Sequence, residues 1–352
     1  MKICLIIDSL AGAGAERVVV SLAEGFLRLN HEVHIVLLED VVEYDVDERI
    51  FIHILKEKDV KTLQKLILEL EDSNDKKFDF IYSHLHGKIK IIKQAKLQNI
   101  YYMFHIPISK RFENKGFINR FLTKKKFQLR YKNENLITVS KGIEEDLYAH
   151  NFKAKSITTI YNPFNFDAIK SVADVADKDI PDTEYIINVA RFHFQKRHDV
   201  LLKAFAKSGL GCKLLLLGKG SLEEKSKIKS LIKKLGIEEK VIMIGFKKNP
   251  YPLMKNAKLF VLSSDFEGFG NVLVESLILD TPVVSTNCKS GPSEIMVGNL
   301  SRYLTPVVDV DSLARMMKKA FYDEIVIEQG DLERFRDEKI VAEYLEIRNS
   351  DG

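Results

Sequence analysis

The sequence predicts an α/β protein of two Rossmann-like, doubly wound parallel-sheet domains facing a central cleft. Three observations predict it. Short, almost wholly apolar runs alternate with longer amphipathic stretches. Such runs mark strands buried on both faces of a parallel sheet, which helices cover. The rhythm breaks near the middle and then restarts. The chain has 352 residues, a length that suits two average domains better than one core.

In the first half, strands are expected at 3–7, 33–38, 80–82, 100–104 and 136–139, and helices at 15–29, 60–70, 88–96 and 117–131. Tyr161-Asn162-Pro163 closes this series, and the polar, acidic stretch 171–183 with Pro181 reads as the connection. In the second half, strands fit 185–189, 213–217, 241–244, 259–262 and 283–286. Helices fit 197–207, 222–235, 271–279 and 312–321. The expected boundaries are 1–165 for the first domain and 166–335 for the second. A last helix in 336–352 is expected to pack back on the first. No internal repeat or low-complexity tract interrupts the pattern. Ligands of doubly wound sheets bind beyond the carboxyl ends of the strands, so the cleft between two such domains is the natural site.

Composition narrows the function classes. Hydrophobic residues make up 45% and charged residues 30%, the balance of a folded chain. No run approaches the roughly 18 apolar residues of a membrane span. The short apolar start, which meets Asp8, lacks the features of a signal peptide, so a cytoplasmic protein is expected. Cys4, Cys212 and Cys288 have no metal-ligand spacing and read as buried or incidental thiols. A net charge of +4 does not suit a nucleic-acid binder. Positive charge is nonetheless concentrated from Lys110 to Lys132, with nine Lys or Arg against one acidic residue, Glu113. Phe117, Ile118, Phe121, Leu122, Phe127, Leu129 and Tyr131 are interleaved with those cations. This is the composition of a helix on an anionic membrane, or of an ordinary surface helix with a solvated basic face.

Three segments carry candidate chemistry. The turn after the first strand is Ser9-Leu10-Ala11-Gly12-Ala13-Gly14-Ala15-Glu16-Arg17. It has the first two glycines of a dinucleotide fingerprint, but Arg17 stands at the third. It can offer backbone N–H groups to an anion, or it can be a plain tight turn with Glu16 placed for the helix dipole. Arg191 and Lys196 follow the strand at 185–189, where two cations could hold a diphosphate or form a surface ion pair. After the strand at 259–262 comes Ser263-Ser264-Asp265-Phe266-Glu267-Gly268-Phe269-Gly270-Asn271-Val272-Leu273-Val274-Glu275. Gly268 and Gly270 allow a close turn into a helix whose free N–H groups suit phosphate. Glu275 suits two ribose hydroxyls; as an ordinary glutamate on so apolar a helix, it would need a polar partner.

Glu267 and Glu275 form an E-x7-E pair. With Gly14-Ala15-Glu16-Arg17, Arg191 and Lys196, they resemble the retaining GT-B glycosyltransferases of family 4, over nearly the whole chain. Val139-Ser140-Lys141, Tyr161-Asn162-Pro163, Leu216-Leu217-Gly218-Lys219-Gly220 and Ser290-Gly291-Pro292-Ser293-Glu294 extend the likeness. The last segment resembles bacterial members that build oligosaccharide, capsule or lipopolysaccharide glycans. Ala13 departs from the family, whose turn usually has a second glycine there.

The resemblance implies a role for each site residue. Arg191 and Lys196 would bind the donor diphosphate, Glu267 would lie near the transferred sugar and leaving phosphate, and Glu275 would hold the ribose. Gly268, Phe269, Gly270, Asn271 and Val272 would complete the donor site, with Gly14 approaching from the first, acceptor-side domain. His105 sits after a strand where the family often has a catalytic-site histidine. His84, His86 and His105 together could suggest a metal, but no carboxylate or cysteine completes a ligand pattern, and the family is metal-independent.

The implied enzyme moves a hexose or N-acetylhexosamine from a UDP-sugar to a lipid-linked oligosaccharide, lipopolysaccharide or capsule acceptor. It would need no cofactor or metal and would sit peripherally on the inner face of the cytoplasmic membrane. A nucleotide-sugar epimerase, a dehydrogenase and a non-catalytic sugar-nucleotide-binding protein are the rival readings.

Overall fold

A computed structural model describes residues 1–11, 14–72, 76–85 and 88–347. Gly12, Ala13 and His86 lie outside the described residues. The chain divides into two compact units, Met1–Pro163 with Phe335–Gly352, and Phe164–Arg334.

The first unit holds seven parallel strands in the order β3-β2-β1-β4-β5-β6-β7. They are β1 Lys2–Ile7, β2 Glu32–Leu37, β3 Phe51–Ile54, β4 Phe80–Ser83, β5 Ile100–Phe104, β6 Asn135–Thr138 and β7 Ser156–Thr159. Helices α1 Gly14–Arg28, α2 Val60–Asp72, α3 Ile89–Ala95, α4 Phe117–Arg130 and α5 Lys141–Ala149 lie among them. The central strands are buried throughout, as their apolar runs demand. The edge strands β3 and β7 are half-exposed and carry His53, Ser156, Thr158 and Thr159, so they lack the apolar run that identifies a strand in sequence.

The second unit has six parallel strands in the order β10-β9-β8-β11-β12-β13. They are β8 Tyr185–Val189, β9 Lys213–Leu217, β10 Val241–Gly245, β11 Leu259–Leu262, β12 Val283–Thr286 and β13 Leu304–Thr305. Its helices are α6 Phe166–Ala173, α7 His198–Ser208, α8 Leu222–Leu235, α9 Tyr251–Lys255, α10 Asn271–Ile278, α11 Pro292–Ile295, α12 Val310–Tyr322 and α13 Gln329–Leu332. The start of the polar connection is helical: α6 is capped by Asn165, whose side chain accepts from Ala168 N, and runs to Ala173.

The last helix, α14 Asp337–Glu346, belongs to the first unit and packs on α1. A Cβ built at Gly25 of α1 would stand 2.6 Å from Val341 Cγ2, so only glycine allows this approach. Tyr82 on β4 donates a hydrogen bond to the Tyr344 carbonyl at 2.7 Å, and Arg28 pairs with the buried Asp337.

Each strand order reverses once, between β1 and β4 in the first unit and between β8 and β11 in the second. β8 and β11 pair only through Ile186↔Leu259 and Ile187↔Phe260. Beyond that, the buried Asn188 amide donates to Val261 O at 2.8 Å.

Candidate active site

At the β8/β11 reversal two loops meet, each continuing a buried apolar strand. After β8 the chain runs through Arg191 and a short 3-10 turn, Phe194–Lys196, into α7. After β11 it runs through 263–270 into α10. The loops are stitched together. Asp265 N donates to Gln195 O at 2.9 Å, Gln195 Nε2 to Phe266 O at 2.7 Å, and Ser263 Oγ to Lys196 O at 2.8 Å. Arg197 adopts a left-handed φ of 48° and bridges Asp199 and Asp265, which fixes the turn that displays Lys196.

Lys196 Nζ lies 2.6 Å from Glu267 Oε1, with side-chain exposures of 16% and 8%. Ser264 Oγ donates to the same oxygen at 2.6 Å. A carboxylate this buried needs such polar partners, and together they form a polar cluster immediately before a helix N-terminus. Gly270 takes φ +99° at the N-cap of α10, a conformation that glycine supplies without strain. Gly268, Phe269 and Gly270 are buried in this turn, whereas Asn271 and Val272 at the helix start are partly exposed. Arg191 stands exposed at the carboxyl end of β8.

Two glycines let neighbouring loops approach these turns closely. A Cβ at Gly218 would stand 1.9 Å from Ala190 O, and one at Gly291 would stand 1.6 Å from Phe269 O. Cys288 is buried beside the cluster. Burial, aided by the Glu267 carboxylate, pushes its thiol up to about 12, so it is no nucleophile.

Glu275 lies one helical stretch away, buried on α10, and accepts from the Tyr251 hydroxyl at 3.2 Å. The sequence requirement for a polar partner is therefore met by a residue of α9. Glu267, Lys196 and the 268–272 turn come together, while Glu275 keeps a separate partner.

Gly14 and His105 belong to the first unit. Gly14 is the exposed first residue of α1, beyond the end of β1. His105 follows β5, and its Nε2 lies 2.8 Å from Nδ1 of His84, which follows β4. The two rings stack with centroids 5.0 Å apart. Dense packing pushes His105 down to about 4, so it is neutral at neutral pH. Ser264 and Tyr251 were missed as site features, whereas His84 and His105, grouped from the sequence, do meet. A hydroxyl contributed by a distant element leaves no local pattern, although Ser264 lies only three residues from Glu267.

Comparison with known proteins follows the same division. The pattern described as "Glycosyltransferase Family 4" matches residues 12–168, and that described as "Glycosyl transferases group 1" matches residues 173–338. The chain is 32% identical over 343 residues to a Campylobacter jejuni N-acetylgalactosamine-N,N'-diacetylbacillosaminyl-diphospho-undecaprenol 4-alpha-N-acetylgalactosaminyltransferase, covering 92% of this chain and 91% of that one. It is 28% identical to the Salmonella typhimurium lipopolysaccharide 1,6-galactosyltransferase over 57% of each chain. A crystal structure of an Anabaena protein in complex with UDP and glucose superposes with a TM-score of 0.78 at 18% identity, over 99% of this chain and 100% of that one. At that identity the likeness establishes the fold alone, which is GT-B.

Proposed function

The chain belongs to glycosyltransferase family 4, among the group 1 glycosyl transferases, and on that premise we propose which sugar transfer it performs. It takes a hexose or N-acetylhexosamine from a UDP-sugar, with retention, and places it on a hydroxyl of a lipid-linked oligosaccharide, lipopolysaccharide or capsule glycan. The observation that carries this reading is the Lys196–Glu267–Ser264 cluster at the β8/β11 reversal, with Arg191 on the same loop as Lys196 and the α10 N-terminus following Glu267. Family membership sets aside the epimerase, dehydrogenase and non-catalytic readings. The Campylobacter and Salmonella relatives support acceptors of the lipid-linked and lipopolysaccharide kinds, and the UDP in the Anabaena structure supports the nucleotide.

In this reading the sugar C1–O bond breaks and negative charge grows on the leaving diphosphate. Arg191, Lys196 and the α10 N–H groups stabilise that charge. The acceptor oxygen bonds to C1 on the face the diphosphate leaves, and its proton passes to a leaving-phosphate oxygen. Glu267 positions the Lys196 ammonium beside the sugar, and Glu275, oriented by Tyr251, accepts the ribose hydroxyls. The first unit, with Gly14 and His105, takes the acceptor side. No metal or cofactor is assigned a step.

The membrane reading is supported by α4, which has no buried residue at all. No helix among the described residues is long and apolar enough to cross a membrane, so a peripheral contact is proposed, on the cytoplasmic face. A screen of nucleotide sugars for thermal stabilisation, followed by transfer assays on diphospho-undecaprenol-linked and lipopolysaccharide acceptors, tests the proposal. UDP-sugars should raise the melting temperature and one of them should be consumed. Stabilisation only by other nucleotides would overturn the donor, and failure with every such acceptor would overturn the acceptor class.

A further inference from the structure

The first unit carries a groove of about 410 Å³ at its surface. One wall is the face of α4 with Lys124, Lys125 and Gln128, continued by Lys132. The other wall is the turn at Asn151 and Lys153, which precedes β7. Gln128 Nε2 donates to His150 O at 2.7 Å and ties the two walls together. Asn151 takes φ +55°, which reverses the chain after α5 and brings Lys153 to the groove. Four ammonium groups therefore line one groove from two separate segments. None of the four has a carboxylate partner among the described residues. Like charges gathered this way repel, and a bound anion relieves the repulsion.

The same helix leaves large apolar side chains in water. Phe117 is 88% exposed, Ile118 72% and Leu129 69%, with Phe121 and Leu122 more than half exposed. Ile118, Leu122 and Leu129 recur at helical spacing on the outer side of α4, and Phe121 and Leu129 also line the groove. A soluble anion would leave that stripe wet, and a neutral apolar partner would leave the lysines uncompensated. An anionic head on an apolar body matches both.

We propose that this groove is a binding site for the phosphate head of a membrane lipid, with the Ile118–Leu122–Leu129 side of α4 entering the lipid interface. The proposal rests on the membrane reading given above and deepens it from a diffuse basic surface to a site with defined walls. Lys153 makes the distinction testable, because it lies outside the basic helix.

The test is sedimentation of the full chain with vesicles of phosphatidylglycerol in phosphatidylcholine, against phosphatidylcholine alone. The double variant K132Q/K153Q removes two groove charges. R120Q/K126Q removes two exposed charges that do not line the groove. The groove variant should lose about tenfold in affinity for the anionic vesicles, and the control markedly less. L122S/L129S should weaken binding without altering its salt dependence. Circular dichroism melts confirm that each variant folds.

Equal losses in the two charge pairs would overturn the site in favour of diffuse attraction. A wild-type chain that sediments with neither vesicle, or that binds inorganic pyrophosphate in the groove but no vesicle, would overturn the lipid. Vesicle binding does not read sugar transfer. A chain that binds lipid as described but transfers no sugar would sink the proposed donor or acceptor and leave the groove standing.

Discussion

Lys196 and Glu267 reach each other from loops 71 residues apart, and their 2.6 Å contact is the point at which the β8 and β11 loops become one site. Their interdependence separates stability from catalysis. Arg191 is exposed, so Arg191→Ala should leave the melting temperature unchanged while slowing transfer by about a hundredfold or more, the effect of losing one charge-stabilising group. Lys196→Ala should slow transfer comparably and also lower the melting temperature, because it strands a buried carboxylate. The double variant Lys196→Ala/Glu267→Gln should recover stability but not activity. Near-normal turnover in both single cation variants would remove the diphosphate assignment.

Glu275→Gln keeps the side chain's size but weakens its acceptance of two hydroxyls. Calorimetry with UDP should show a loss of affinity of about tenfold. Tyr251→Phe should give a smaller loss, since the 3.2 Å bond orients Glu275 rather than touching the nucleotide. Unchanged UDP binding in both variants would make the pair purely structural.

Burial lowers two histidines, His105 and His198, from 6.5 to about 4. In the unfolded chain each takes up a proton near pH 6.5; in the fold each resists until about pH 4. Their contribution to stability is therefore full above pH 6.5 and is lost as pH falls through that window. The loss is up to about 1.4 kcal/mol per pH unit for each histidine. Urea midpoints measured from pH 7 to 4.5 should fall accordingly, and His198→Gln should remove part of the slope. A slope identical to that of the native chain would show that His198 does not resist protonation.

Gly291→Ala should be severe. The residue takes φ +93° and its new methyl would collide with the Phe269 carbonyl, which lies in the turn into α10. The expected cost exceeds about 2 kcal/mol in denaturant unfolding, together with weakened UDP binding. Gly211→Ala, at an open position, is the control and should cost little.

The central strands and the β11–α10 segment were legible because their information is local. Leu259–Leu262 is an unbroken apolar run, and the two glycines and the E-x7-E spacing follow it directly. β3 and β7 were not legible, since an edge strand with one wet face needs no apolar run and these two carry polar residues. Helices α5, α6, α9, α11 and α13 were missed. α9 has five residues, too few for a helical period to show. The apolar side chains of α4 read as a stripe that a core could have claimed; that it has no buried residue is a tertiary fact. The pairing of Tyr251 with Glu275 likewise depends on how α9 meets α10.

Because α14 closes on α1 at Gly25, the first unit is built from two segments that flank the second in sequence. The second unit is continuous and complete in sequence by Arg334. On the ribosome the order of completion is therefore reversed relative to the order of synthesis. The sheet begun first waits for the last helix to cover Tyr82 and Phe26, while the sheet begun second can finish before it. A stop codon just before Asp337 would spare the complete second unit and leave the first with an uncovered aromatic face, the kind of surface that chaperones and proteases recognise.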